Sequence, residues 1–193
     1  MRVIAGTARG TRLKVPRGGA VRPTSDRVKE ALFNILGLRV FEAVVWDLYA
    51  GSGAIGIEAL SRGSAEALFV EQERAHLKII EENLSRARVA SRARLLQQDV
   101  KMALPLLARE KQQADLIFSD PPYQERTIPT LLAAIDHYGL LHADGLIVLE
   151  LFARSELWPE KHPAVNLRKY GDTVLAFIEA AALPQARAAL SNS

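Results

Sequence analysis

The stretch Asp47-Leu-Tyr-Ala-Gly51-Ser-Gly53-Ala-Ile-Gly56 constrains the fold of this chain more than any other. The apolar run Val44–Leu48 precedes it, and a helical segment, Ala54–Ser61, follows and is stopped by Gly63. A buried strand, a tight glycine loop and a helix in that order open a doubly wound α/β sheet. The alternation then repeats. Ala67–Val70, Arg94–Gln97, Leu116–Ser119 and Leu146–Leu151 read as strands; Glu73–Ala87, a stretch to about Glu110, and Ile128–Tyr138 read as helices. Right-handed crossovers between such strands give a parallel arrangement with helices on both faces. Val165–Tyr170 and Thr173–Ile178 flank Gly171-Asp172, the pattern of an antiparallel hairpin. The expected fold class is therefore α/β and Rossmann-like: a seven-stranded, mostly parallel sheet with a C-terminal antiparallel hairpin.

Gly51, Gly53 and Gly56 match the dinucleotide fingerprint G-x-G-x-x-G. Asp47 at the preceding strand end argues for a different ligand. A carboxylate there repels a pyrophosphate and attracts an ammonium group, and S-adenosylmethionine carries both an ammonium and a sulfonium. The glycines admit a cofactor to the backbone without a Cβ in the way, and the helix N-terminus can hold a carboxylate. Tyr49 stands in the same loop as a cofactor contact. Glu71 closes the second strand, where acidic residues of such folds accept from ribose hydroxyls. Asp99, after the third strand, is placed to accept from an adenine amino group, to cap the next helix, or both.

Leu116–Ser119 delivers Asp120-Pro121-Pro122-Tyr123 to the carboxyl end of the fourth strand, the edge at which open α/β sheets bind ligands. Two prolines stiffen the turn and remove two N–H donors, so the backbone there presents mainly acceptors. That suits a planar exocyclic amine, a poor nucleophile because its lone pair is delocalised. The Asp120 carboxylate and the Pro121 carbonyl are candidates to take its two N–H groups and turn the lone pair toward a methyl sulfonium. Asp120 thereby also borders the cofactor, and Tyr123 offers a ring on which a base can stack. The chemistry needs no metal, and His76, His137, His142 and His162 show no ligand spacing. Trp46 and Trp158 read as core.

Charge points the N-terminal segment at a polyanion. Residues 1–40 carry nine Lys/Arg against Asp26 and Glu30, a net +7, and the remaining 153 residues carry −4. Arg2–Ala5 and Arg12–Val15 read as a small β-hairpin or an extended arm, and a helix follows from Pro23-Thr24-Ser25-Asp26 with apolar Val28, Ala31, Leu32, Ile35 and Leu36. Arg9, Arg12, Lys14 and Arg17 are candidate phosphate contacts. Arg22 and Arg27 read either as contacts to RNA or to the methionine carboxylate, or as salt bridges at the helix start.

These segments together resemble the RsmD-type methyltransferases. The resemblance runs through I-A-G-T-A-R-G-T-R-L-K-V-P and V-R-P-T-S-D-R-V-K-E-A-L-F-N-I-L, then D-L-Y-A-G-S-G-A-I-G, V-E, D-V and D-P-P-Y. It implies an enzyme that uses S-adenosylmethionine to make N2-methylguanine in 16S ribosomal RNA, in the helix 31 loop, within the small subunit or its assembly intermediate. The alternatives are an amino-methyltransferase for DNA adenine or protein glutamine, a non-catalytic RNA-binding assembly factor, and an NAD-dependent oxidoreductase, for which no companion catalytic set is seen. The expected organisation is a basic RNA-facing extension over residues 1–40, a cofactor-binding catalytic domain over 41–183 and a frayed tail over 184–193. There is no cysteine, no apolar run of the roughly 18 residues that span a bilayer and no signal-peptide core in the first ten residues. The expectation is a cytoplasmic monomer.

Overall fold

The computed structural model describes residues 1–16, 25–122, 124–154, 157–158 and 162–191. Its seven strands form a mixed sheet, and the chain divides into two compact units, Met1–Val100 and Lys101–Ser193. In the first unit β1 (Val44–Leu48), β2 (Glu66–Glu71) and β3 (Ala93–Gln97) lie in the order β3-β2-β1, with both pairs parallel. In the second, β4 (Ala114–Ser119), β5 (Leu141–Phe152), β6 (Asn166–Tyr170) and β7 (Thr173–Glu179) lie in the order β4-β5-β7-β6. There β4 and β5 are parallel, while β5–β7 and β6–β7 are antiparallel. The β6–β7 turn is the expected one, with Gly171 at φ 62°.

Helices connect the strands. In the first unit α1 (Asp26–Leu36) begins where the Ser25 hydroxyl accepts from the Val28 N–H, and it ends at Gly37 with φ 53°. Its buried residues Val28, Leu32 and Leu36 recur every fourth position and form one face. α2 (Ala54–Ser61) is buried at every residue, and α3 (Arg74–Ala87) buries Leu77, Ile80, Leu84 and Ala87. These meet Ile57, Leu60 and Phe69 in a core that also takes in Val3, Ala8 and Leu13 from the N-terminal segment. Val3 and Leu13, withdrawn from water, each contribute about 1.5–3 kcal/mol, so the N-terminal segment is part of this core. The second unit begins within α4 (Val100–Arg109) and adds α5 (Gln124–Tyr138) and α6 (Leu183–Ser191). Its fully buried residues include Leu107, Ile117, Leu132, Ile147, Leu149, Leu175 and Ile178.

Three expectations change. The N-terminal arms do not form regular strands: one antiparallel bridge joins Arg2 and Arg12, and the arms exchange three backbone hydrogen bonds, Val3 N–H to the Thr11 carbonyl and Gly10 N–H to the Val3 carbonyl at 2.9 Å, and Leu13 N–H to the Met1 carbonyl at 3.2 Å. Gly6 and Gly10, at φ 82° and 84°, turn the chain between them, and side chains of α1, α2 and α3 take up other backbone groups of the segment. The tail is not frayed from residue 184 but helical as α6, where Leu183 and Ala186 are buried and the Ala186 carbonyl accepts from the Trp158 indole at 3.1 Å. The fifth strand starts five residues early, because Leu141 pairs with Ala114 before the register shifts to Leu146 opposite Leu116.

Candidate active site

The parallel register of the first unit brings three strand ends together. Leu48 lies opposite Val70, and Glu71 opposite Gln97. The residues just beyond those ends share one edge, and Tyr49, Val70, Glu71, Gln72, Gln98, Asp99 and Val100 line an open cleft there. Of the residues expected to hold a cofactor, Tyr49, Glu71 and Asp99 are thus gathered at one place.

Glu71 organises that edge. Its side chain is largely buried, one oxygen accepts from the Gly51 N–H and the other from the Glu73 N–H, each at 2.9 Å. The His76 Nδ1 lies 3.5 Å from the oxygen that holds Gly51. A carboxylate offers about four lone-pair positions, so these contacts leave capacity for hydroxyl donors while fixing the carboxylate toward the glycine loop. Tyr49 adopts φ 63°, a left-handed conformation rare for a residue with a side chain and typical of functional turns. Burial, and secondarily the Asp99 charge, push its hydroxyl up to about 12. The phenol therefore stays a neutral donor at physiological pH.

Asp47 is buried, and one of its oxygens accepts from the Gly56 N–H at 3.0 Å. It caps the first turn of α2, whose exposed donors favour negative charge. The three glycines divide their work. Gly53 sits at φ 73° as the residue before α2. Gly56 is demanded by packing: a Cβ there would lie 2.3 Å from the Phe69 ring. Gly56→Ala is accordingly expected to destabilise the protein by about 1–3 kcal/mol through overpacking. Thermal unfolding of G56A beside G56A/F69L checks this, since trimming the ring should recover much of the loss.

The N-terminal basic segment is bolted to α2 and α3. Glu58, wholly buried, accepts from the Ile4 and Ala5 N–H groups at 2.7 and 3.0 Å and pairs with buried Lys29 at 3.3 Å and Arg62 at 2.8 Å. The Ser61 hydroxyl donates to the Ala5 carbonyl at 2.6 Å and accepts from the Ala8 N–H at 2.9 Å. Asn83 accepts from the Lys14 N–H at 2.8 Å and donates to the Lys14 and Ser52 carbonyls, each at 2.9 Å. Arg9, Arg12 and Arg27 are exposed, and the exposed Lys14 ammonium pairs with Glu82. Arg17 and Arg22 lie outside the described residues.

In the second unit Asp120 follows β4 directly. Ser119 lies opposite Leu149 on parallel β5, which sets Asp120 beside Glu150. Asp120 is half-buried, Pro121 buried, and the Pro122 carbonyl accepts from the Thr127 hydroxyl at 2.9 Å, fixing the turn to the start of α5. Burial first, and the Glu150 charge second, raise the Asp120 carboxyl to about 7. Tyr123 lies outside the described residues. Glu150, itself 8% exposed, escaped the sequence reading; its signal is a lone acid inside the apolar run Leu146–Leu151. Glu58 carries the same signal within Ala54–Ser61.

The conserved hypothetical protein 95 family matches residues 1–179. The chain is 39% identical to YlbH of Bacillus subtilis, a candidate rRNA methyltransferase, over 91% of this chain and 97% of that one. It is 36% identical to ribosomal RNA small subunit methyltransferase D of Escherichia coli, over 78% of this chain and 74% of that one. Among solved structures, hypothetical protein TTHA0928 of Thermus thermophilus superposes with a TM-score of 0.80 at 32% identity, covering 93% of this chain and 99% of that one.

Proposed function

The chain belongs to the conserved hypothetical protein 95 family, and from that premise we propose that it is an S-adenosylmethionine-dependent methyltransferase for the exocyclic amine of a guanine in small-subunit ribosomal RNA. The target we favour is the N2 amine of a guanine in the helix 31 loop of 16S RNA, presented by the small subunit or its assembly intermediate in the cytoplasm. The observation that carries the reading is Asp120, a half-buried carboxylate on a proline-stiffened turn at the end of a parallel strand, in a chain whose relatives are named for rRNA methylation.

The cleft residues suit the cofactor. Glu71 and Asp99, at the ends of adjacent strands, match ribose hydroxyls and an adenine amine, and the loop around Gly51 and Gly53 offers close backbone approach. Asp47 supplies negative charge at the strand end for an ammonium. When bound, S-adenosylmethionine supplies an electrophilic methyl group on a positively charged sulfur.

The protein's own part is orientation. Asp120 and the Pro121 carbonyl each accept one amine N–H, freeing the nitrogen lone pair from the ring. With the lone pair so directed, the nitrogen would be ready to take the methyl group that the bound cofactor would supply, and the Asp120 carboxylate would accept the proton the nitrogen then gives up. Holding the amine in that geometry accounts for much of the rate. Tyr123 stacks on the base, whose unstacking from RNA is least costly in a loop. Arg9, Arg12, Lys14, Arg17, Arg22 and Arg27 supply phosphate contacts, which position without reading sequence.

Labelled methyl transfer tests this. Small subunits from a strain lacking the modification should accept label at one guanine, and naked rRNA should accept less. Label on DNA or on a protein glutamine, with none on either RNA substrate, would sink the ribosomal assignment. Tight binding of small subunits without binding of S-adenosylmethionine would favour a non-catalytic assembly factor.

A further inference from the structure

We propose that Glu150 selects guanine, by accepting the N1–H of the base while Asp120 accepts an N–H of its exocyclic amine. The inference rests on the methyltransferase reading above and names the group that sets its base preference.

The register carries the argument. Ser119 and Leu149 are partners on parallel neighbours, so the next pair along is Asp120 and Glu150. Laterally paired residues on adjacent strands point to the same face, with strands about 4.8 Å apart. Two carboxylates are thus held side by side where the acceptor amine is to be bound. Glu150 is buried, and its charge is felt by Asp120. Like charges set together in a partly dry place oppose folding and are kept chiefly at functional sites.

A pair of adjacent acceptors wants a pair of adjacent donors. Guanine presents N2–H and N1–H side by side on its Watson–Crick edge. Adenine presents an amine beside a bare N1 lone pair, which would face the Glu150 carboxylate with no proton between them. Cytosine likewise sets a lone pair beside its amine. Glu150 also interacts with other groups of the protein, and a carboxylate's capacity for several hydrogen bonds allows N1–H in addition. The turn at Asp120 names an amine as the reacting group, and Glu150 adds which base carries it.

2-Aminopurine separates the two roles, because it keeps the exocyclic amine on C2 and lacks the N1 proton. Small-subunit RNA carrying either guanosine or 2-aminopurine riboside at the target position would be assembled into subunits and offered to wild-type protein and to Glu150→Gln. A site built around a donor rejects an analogue lacking it strongly, so wild type should prefer guanine by about a hundredfold or more in kcat/KM. Glutamine can donate to a bare N1. In Glu150→Gln the guanine rate should therefore fall and the 2-aminopurine rate rise, bringing the ratio to within roughly tenfold. Equal methylation of both RNAs by wild type overturns the proposal, whatever the fate of the variant. So does a well-folded Glu150→Gln that loses activity equally on both, which would make Glu150 a support for Asp120 alone. No transfer by wild type to the guanosine subunit would instead remove the underlying reading, and this one with it.

Discussion

Replacing Asp120 with asparagine is expected to slow methyl transfer about a hundredfold to a thousandfold, the usual cost of losing one aimed polar group in a reacting site, while raising the melting temperature at pH 8. The two effects share a cause. Burial and Glu150 lift the folded-state carboxyl from an ordinary 3.8 to about 7. Between those values the folded protein holds a proton that the unfolded chain has released, so stability falls as pH rises from about 4 to 7 and the full cost persists above. Partial exposure discounts that cost to about 2 kcal/mol. Asparagine has no charge to bury, so D120N should gain about 4–8 °C at pH 8 in a chain of this size and nothing below pH 4. In the wild type the ionised carboxylate is the better acceptor, and kcat/KM should rise with pH through about 7. Thermal melts of both proteins at pH 4 and 8, with a pH–rate profile, check the claim. A variant less stable than wild type at pH 8 would show that Asp120 is held by contacts that favour its charge.

That trade between stability and chemistry was only half legible in the sequence. Asp120 could be placed at a strand end because Leu116–Ser119 is apolar and the following prolines stop it. Its neighbour could not, since Glu150 comes into register only through strand pairing across thirty residues. The glycine loop divides in the same way. That Gly51, Gly53 and Gly56 form a turn and a helix start follows from their spacing. That Gly56 answers to the Phe69 ring, and that Asp47 caps α2 through the Gly56 N–H, follows only from how α2 lies on β2.

The misread segments have the same physical origin. Arg2–Ala5 and Arg12–Val15 have strand-like composition and exchange backbone hydrogen bonds at Val3, Thr11 and Leu13, but the Ile4, Ala5 and Lys14 amides turn to Glu58 and Asn83, so the ladder stays short. The alanines after Pro184 suggest fraying by composition. Alanine is also the best helix former, and burial of Leu183 and Ala186 tips the balance to α6. Lys29 lies within the apolar stripe of α1 and by composition belongs to the basic N-terminal segment. It is wholly buried, and its ammonium meets Glu58 and the Arg2 carbonyl instead of a phosphate.

Removing Glu58 should therefore be the most damaging change outside the reacting residues. Glu58→Ala strips the counter-charge from Lys29 and Arg62 and orphans the Ile4 and Ala5 N–H groups together. Burial already lowers the Lys29 pKa, and Glu58 is the main influence opposing it. Breaking one side of a buried pair costs about 3–5 kcal/mol, or roughly 6–20 °C for a chain of this length. Replacing both partners separates charge from anchoring. K29M/E58M should recover part of the melting temperature, because the fully buried ammonium is removed with its counter-charge and only the partly exposed Arg62 loses a partner. It should not restore the hold on residues 4 and 5, whose amide hydrogens should exchange with solvent far faster than in wild type. Since Arg9, Arg12 and Lys14 lie on the segment those amides anchor, the double variant should also bind small-subunit RNA more weakly while binding S-adenosylmethionine nearly as well. A melting temperature for Glu58→Ala within 2 °C of wild type, or unchanged exchange at residues 4 and 5 in the double variant, would mean that Val3, Ala8 and Leu13 hold the segment by apolar contact alone.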